Sequence, residues 1–358
     1  MDASLHPLHR HWENHRMNRI AILDAADRRV VLAEGAQRLK LLPVVLEKDF
    51  WVCWMLGLLF GRPERSEALV FKGGTALSKV FGVIQRFSED IDLSVAPATL
   101  GFAEAEMDQS MSRRRRGQLI ENLEAACRQW VAERLQPELE QEITAVVGAR
   151  PGGARWLEFE TDTVTQSPVL YFHYPGTQEV DVPYIRRAVK LELGSLTDQR
   201  PVGRHRVRPW LAEVLPGPLA GMACDVVALD VGRAFWEKAT ILHAEHHRDA
   251  ESPMPGNYSR HYADVAALAA CHEVRHALSD IALLERVVDW KSRFFARSWA
   301  RYDLAKPGTF RLVPPEFRLS ELEADYAKMR PMFLAEPPPF ADVIEAVHGL
   351  ETRINRAA

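Results

Sequence analysis

Hydrophobic and polar positions follow two different periods along the chain. Helical spacing runs through residues 22–33 and resumes at Pro43, which suits the first turn of a helix. Short apolar runs or two-residue alternation predict strands at 69–71, 90–95, 156–161, 168–174 and 185–193. Beyond residue 216 the apolar spacing is helical. The pattern predicts an α+β chain, with a mixed sheet and flanking helices in residues 1–215 and a helical domain in residues 216–358.

The segments between these elements carry weaker signals. Residues 96–112 are expected to form a loop with little structure, and an apolar stripe predicts a long helix from Arg113 to Leu135. Residues 197–217 contain four arginines and several prolines, which predicts an irregular extended connector. In the C-terminal half, helices are expected over 232–247 and from Ser259, which suits a helix N-cap.

One stretch, Leu69–Val95, combines two features that matter for chemistry. Its strand leads into a Gly73-Gly74 turn and a helix predicted from Thr75 to Gln85, and a second strand then carries Asp90 and Asp92. Residues two apart on a strand face the same side, so the two carboxylates share a small space. Their repulsion is relieved by a hard cation such as Mg2+, with Mn2+ as an alternative.

The turn in the same stretch has the chemistry of a phosphate site. Glycine lets an anion approach the backbone, and a helix N-terminus offers free N–H groups. Gly73, Gly74 and Thr75 are therefore predicted to bind the triphosphate of a nucleotide. A phosphate site and a pair of metal-binding acids, separated by a short helix, indicate nucleotidyl transfer.

Two charged residues, Lys48 and Asp49, interrupt an otherwise apolar helix. We favour the interpretation that they form a surface ion pair. The alternative is that they brace the turn at Gly73 and Gly74.

The amino-acid sequence of this stretch resembles that of a known family. FKGGTALSKVFG followed by RFSEDIDL is similar to the AbiEii/AbiGii nucleotidyltransferase toxins, within the polymerase-β-like superfamily. Four further segments resemble the same family in its order: EKDFWVCWML, VKLELG, FWEKATILHAE and SRHYADVAAL. The resemblance implies the mixed sheet of that superfamily, followed by a helical domain that completes the active site.

The resemblance also implies roles for residues outside the motif. Glu192 is the candidate third metal ligand beside Asp90 and Asp92, with Asp181 as the alternative and an exposed strand as the competing interpretation. Lys190 and Lys238 are expected to contact the nucleotide, because an ammonium stabilises the charge that builds on the triphosphate. Asp264 is expected to orient Lys238 or a nucleotide hydroxyl. Otherwise, Lys238 would pair with Glu237 on the surface and Asp264 would favour a helix start.

Charge and cysteine content limit the remaining possibilities. The net charge of -4 and the pI of about 6.4 exclude a globally basic nucleic-acid binder, but basic runs remain. Arginine suits phosphate contacts, so these runs are candidate RNA contacts, with a solvated helix face as the alternative for the first run. The candidates are Arg113, Arg114, Arg115, Arg116, Arg204 and Arg206. Four scattered cysteines predict free thiols, and the absence of a ~20-residue apolar run predicts a cytoplasmic protein without membrane contact.

These observations lead to one functional hypothesis. We expect a Mg2+-dependent nucleotidyltransferase that acts as the toxin of an abortive-infection (phage-defence) pair with a cognate antitoxin. It would transfer a nucleotide from an NTP to an RNA acceptor, for which the family suggests tRNA, and release pyrophosphate. The alternatives are transfer to a protein or small molecule, and a non-catalytic partner protein that only binds nucleotide.

Overall fold

Seven described strands form one mixed sheet in the computed structural model, which describes residues 16–108, 110–178, 186–215 and 221–356. The strand order is β3-β4-β5-β2-β1-β7-β6. The strands are β1 Leu69–Lys72, β2 Ile91–Val95, β3 Leu157–Thr161, β4 Pro168–Phe172, β5 Val189–Gly194, β6 Val202–Val207 and β7 Cys224–Leu229.

The centre of the sheet joins strands of both directions. β1 pairs antiparallel with β2 and parallel with β7, while β2 pairs parallel with β5. β4 pairs antiparallel with both of its neighbours, β3 and β5. Fully buried Ile91 and Leu93 alternate with Asp92 on β2, so the acid faces away from the apolar layer. This alternation places the polar side of the central strands at one face.

The described helices accompany two compact units of the chain. The first unit comprises the residues up to Val80 together with Ser88–Ala228, and the second comprises Phe81–Phe87 together with the residues from Leu229 onward. Helices of the first unit are α1 Ala25–Leu39, α2 Pro43–Phe60, α3 Pro63–Ala68, α4 Gly73–Lys79, α5 Glu104–Asp108, α6 Arg113–Trp130, α7 Gln136–Val147 and α8 Leu211–Val214. Helices of the second are α9 Val231–His246, α10 Ser259–Ala270, α11 His272–Ala277, α12 Ile281–Phe294, α13 Leu319–Lys328 and α14 Phe340–Arg356.

Helix α2 runs through the core of the first unit and is buried on nearly all sides, as expected of a helix that is apolar all round. Trp51 and Trp54 are edge-to-face, with ring centroids 5.4 Å apart, and Trp54 stacks on Phe172 of β4. Large buried aromatics of this kind stabilise a fold by about 3–5 kcal/mol each against replacement by alanine. The helix is therefore a rigid support for whatever its few polar residues contact.

The α+β class, the mixed sheet with flanking helices and the helical C-terminal region are confirmed. Several boundaries were wrong. The motif helix ends at Lys79 rather than Gln85, strand β2 begins at Ile91 just after Asp90, and the helix expected to end at Leu135 continues through a π-helical turn into α7. The expected loop after β2 contains α5, and the expected irregular connector contains β6.

The sheet also includes a strand that the apolar pattern did not identify. Residues 216–358 were expected to form a helical domain, but β7 in this part of the chain is a strand that pairs with β1 at Phe71 and Ala228. Local periodicity could not reveal this, because the short apolar run Val226–Leu229 fits a buried helix segment as well as a buried strand. The predicted domain boundary after residue 215 borders residues 216–220, which lie outside the described residues. The chain passes from the first compact unit to the second between Ala228 and Leu229.

Two predictions from composition can be compared with the structure. All four cysteines are free, and three of them are buried, as predicted. Among the described residues, no helix has the length and apolar content that crossing a bilayer requires.

Candidate functional site

The Asp92 side chain lies against Gly73, the first residue of the double-glycine turn. Gly73 follows β1 with a φ of 78°, a conformation that strongly favours glycine. A Cβ added there would lie 1.9 Å from Oδ2 of Asp92, so the Asp92 carboxylate rests against the turn. Only a residue without a side chain fits both the backbone and the carboxylate. The predicted closeness of the double-glycine turn and the second acid is therefore present in the structure.

Thr75 ties the turn to the first acid. Its side chain is fully buried, and its hydroxyl donates to the backbone carbonyl of Asp90 at 2.5 Å and lies 2.9 Å from the Ser88 hydroxyl. That hydroxyl is therefore engaged within the motif. The backbone N–H groups of Gly73, Gly74 and Thr75 remain the predicted contacts to phosphate.

The surroundings of Asp90 disfavour the ionised form of its carboxylate. Partial burial, followed by the neighbouring carboxylates of Glu89 and Glu192, raises the pKa of Asp90 to about 6. The ammonium groups of Lys190 and Lys48 oppose this shift only in part. An acid held in this way gains from a nearby cation, as expected for a carboxylate that binds a metal ion.

Glu192 lies beside Asp92 in the sheet. The two residues are register partners on parallel strands, and Lys72 is the antiparallel partner of Asp92 on its other side. Lys190, two residues before Glu192 on the same face, is ion-paired with it. Asp181, the alternative third ligand, lies outside the described residues.

The three acids do not form a ready-made metal cage. Across the described part of the chain, no three His, Cys, Asp or Glu side chains are grouped closely enough to hold a metal ion. Asp90 and Asp92 supply the oxygen donors that Mg2+ prefers, and the assignment of Glu192 as third ligand stays a prediction.

The second unit contains a buried charge cluster around Asp264, which is only 1% exposed. Nζ of Lys238 lies 2.9 Å from Oδ2 of Asp264, and the Arg86 guanidinium donates to both oxygens, at 2.9 and 2.8 Å. Burial alone would raise the pKa of Asp264, but Lys238 and Arg86 outweigh it and hold that pKa well below its usual range. The expected orientation of Lys238 by Asp264 is therefore present as a contact.

The environment of these two residues excludes the simpler interpretations. Glu237, the expected surface partner of Lys238, instead contacts Arg233 at 2.9 Å. Ser259 does not cap α10, because its hydroxyl donates to Asp325 at 2.6 Å. Asp264 lies in the second turn of that helix, where a carboxylate gains little from the helix dipole.

The chain between the motif helix and the acids belongs to this second unit. Residues 81–87 pair with the segment before α14: the Phe87 N–H donates to the Met332 carbonyl at 2.6 Å, and the Leu334 N–H donates to the Gln85 carbonyl at 3.1 Å. Arg86 in this segment reaches Asp264, as described above. Arg86 and Lys238 thus bind the same carboxylate, that of Asp264.

A comparison with protein-family models matches residues 57–346 to the family described as "Nucleotidyl transferase AbiEii toxin, Type IV TA system". The match covers well over half of the chain. The chain belongs to the AbiEii family. A comparison with curated proteins finds no match.

The AbiEii match includes every candidate site residue from Gly73 to Asp264, while Lys48 and Asp49 precede it. It establishes the nucleotidyl transferase family and its place in type IV toxin–antitoxin systems. The roles given to individual residues of this AbiEii protein remain predictions.

Sequence reasoning did not identify the partners of three buried charged residues, Lys48, Asp49 and Arg86. Arg86 begins the RFSEDIDL segment, but no local pattern indicated its partner Asp264, which lies 178 positions away. Lys48 and Asp49 are buried, at 1% and 3% exposure, and do not pair with each other, so the favoured surface ion pair was wrong. The sequence showed that Lys48 and Asp49 lie within an apolar helix, but it did not show which residues they pair with.

The basic runs lie on the first unit. Arg113–Arg115 are exposed at the start of α6, where the Ser112 hydroxyl caps the helix by accepting from the Arg115 N–H at 3.3 Å. Arg204 and Arg206 are exposed and alternate along β6, at one end of the strand order. Both runs are accessible to a large polyanion, and their role in RNA binding stays a prediction.

Proposed function

We propose that this AbiEii protein transfers a nucleotide from an NTP to the end of an RNA, with a divalent metal ion at Asp90 and Asp92. The observation that carries the proposal is the contact between Asp92 and Gly73. It places an acid against a turn whose backbone amides suit a phosphate.

The chain supplies the charges that such a transfer needs. Asp90 and Asp92 would hold the ion, with Glu192 beside them, and a bound Mg2+ would supply positive charge to the phosphate and the attacking hydroxyl. Gly73, Gly74 and Thr75 would hold the triphosphate through backbone N–H groups. Lys190 and Lys238 would contact the nucleotide, with Asp264 keeping Lys238 in place.

RNA is the acceptor that the surface favours. The exposed arginines of α6 and β6 suit a phosphate backbone rather than a small acceptor. The family's place in type IV toxin–antitoxin systems supports a cognate antitoxin as partner, and a tRNA is the acceptor that we propose.

The test is incubation of the protein with each α-labelled NTP, Mg2+ and total RNA, followed by gel separation of the RNA. Wild type is expected to label an RNA band, and omission of Mg2+ or the substitution Asp92→Ala is expected to abolish the label. Labelling of protein instead of RNA would favour the alternative acceptor. Absence of any labelled product, or undiminished labelling by Asp92→Ala, would contradict the proposal.

The contribution of the basic runs is measured separately. Replacement of Arg113–Arg115 by glutamine should raise the KM for RNA and reduce the salt dependence of that KM. The other kinetic parameters should not change. An unchanged KM for RNA would exclude this surface as an acceptor contact.

A further inference from the structure

Two adjacent charges, Lys48 and Asp49, are buried in the core helix α2. A buried charge is costly unless it is paired and hydrogen-bonded, and α2 is otherwise apolar from Val44 to Phe60 apart from Glu47. Lys48 and Asp49 point to different partners, and each partner belongs to a different half of the motif.

Asp49 holds the end of the turn helix. One carboxylate oxygen is 2.5 Å from Nζ of Lys79, the last residue of α4, and the other accepts from the Trp210 N–H at 2.7 Å. Nζ of Lys79 also lies 4.4 Å from the Trp210 ring, a cation–π distance. The short helix that begins at Gly73 is therefore fixed at its far end by a buried, hydrogen-bonded ion pair.

Lys48 holds the residue next to the first acid. Its Nζ lies 2.6 Å from Oε2 of Glu89 and donates to the Arg186 carbonyl at 3.0 Å. Glu89 immediately precedes Asp90, so its position sets where the Asp90 backbone begins.

The two anchors flank the segment that leaves the first unit. Phe81–Phe87 belongs to the second unit, Lys79 lies just before it and Glu89 just after it. Without anchors at both ends, movement of that segment would reach the turn on one side and Asp90 on the other.

We propose that Lys48 and Asp49 are positioning residues: Asp49 sets the phosphate turn through Lys79, and Lys48 sets Asp90 through Glu89. This inference rests on the proposed nucleotidyl transfer for its catalytic consequence. Its structural part, a separate brace for each half of the motif, does not.

The two braces have separable effects on kinetics. Asp49→Asn loosens the turn, so the KM for NTP should rise about tenfold with a smaller change in kcat. Lys48→Met releases Glu89 and displaces Asp90, so kcat should fall by ~10²-fold, the cost of a displacement near 1 Å at a reacting centre. Lys48→Arg, which keeps the charge, should recover part of that loss.

The structural readout is peptide-level amide hydrogen exchange. Asp49→Asn should speed exchange in residues 73–79, and Lys48→Met should speed it in residues 88–95, with the other motif half unchanged in each case. Arg65→Met is the matched control, because Arg65 is 4% exposed and paired with Glu142 at 2.7 Å in the same unit. It should lower stability without changing exchange in either motif half or the KM.

If Lys48→Met does not fold, Glu89→Gln tests the same brace. In that variant Lys48 keeps its hydrogen bond to the Arg186 carbonyl. Exchange spread evenly through the first unit, or kinetic losses matched by Arg65→Met, would overturn the inference. Lack of transfer by wild type would overturn the proposed function instead, whatever the exchange pattern shows.

Discussion

Asp90 is expected to destabilise the metal-free fold, and Asp90→Asn should relieve that cost. Its pKa rises from 3.8 to about 6 on folding, mainly through burial and then through Glu89 and Glu192. One pKa unit corresponds to about 1.4 kcal/mol, so the ionised acid costs at most about 3 kcal/mol at pH 7. We therefore expect the free energy of unfolding of Asp90→Asn to exceed that of wild type by about 2–3 kcal/mol at neutral pH.

The sign of the pH dependence follows from the direction of the shift. Because the folded pKa is the higher one, the cost is fully present above about pH 6. It shrinks as pH falls and is absent below the unfolded value of 3.8. The advantage of Asp90→Asn should therefore be roughly halved near pH 5 and lost near pH 3.

The measurement is urea denaturation in EDTA at pH 7, 6 and 5, followed by circular dichroism. In a second series, Mg2+ should raise the stability of wild type but not that of Asp90→Asn, which lacks the charged ligand. If Asp90→Asn were less stable than wild type at pH 7, or its advantage did not vary with pH, the reasoning would be refuted.

Three other substitutions test the contacts of the site. Gly73→Ala should abolish transfer, because the added Cβ would clash with Asp92. It should also destabilise the fold by more than the ~1–2 kcal/mol that a left-handed backbone costs. The control is Gly82→Ala, which has a φ of 63° and open space around the added Cβ, and which should stay active. Arg86→Met should cost about 3 kcal/mol in unfolding free energy, since it breaks a buried pair, and Arg86→Lys should restore part of that; equal stability of all three proteins would contradict the pairing. Glu192→Gln should weaken Mg2+ binding measured by calorimetry if Glu192 is the third ligand, and unchanged affinity would exclude it.

Local pattern was enough to predict the centre of the fold. The strand at Leu69, the glycine turn and Asp92 on β2 follow from two-residue alternation and glycine chemistry, which depend on near neighbours, whereas Asp90 lies just before the strand. Asp92 lies near the turn because its antiparallel partner on β1 is Lys72, the residue immediately before Gly73.

What the sequence could not reveal depends on partners that are distant along the chain. The Arg86–Asp264 pair, the Lys48–Glu89 pair and the pairing of β7 with β1 each join residues whose relation no local period encodes. The end of α4 was misjudged for a similar reason, because residues 81–87 leave the helix to pair with a distant segment.

The pairing of residues 81–87 imposes an order on biosynthesis. Phe87 leaves the ribosome 245 residues before Met332, its hydrogen-bond partner (332 − 87 = 245). At ~5–20 residues per second, the nascent chain carries that segment for roughly 10–50 seconds before its partner exists. The pairing of residues 81–87 with residues 332–334 can therefore form only after Met332 and Leu334 have been synthesised, whereas the ion pair of Arg86 with Asp264 needs only the chain up to residue 264.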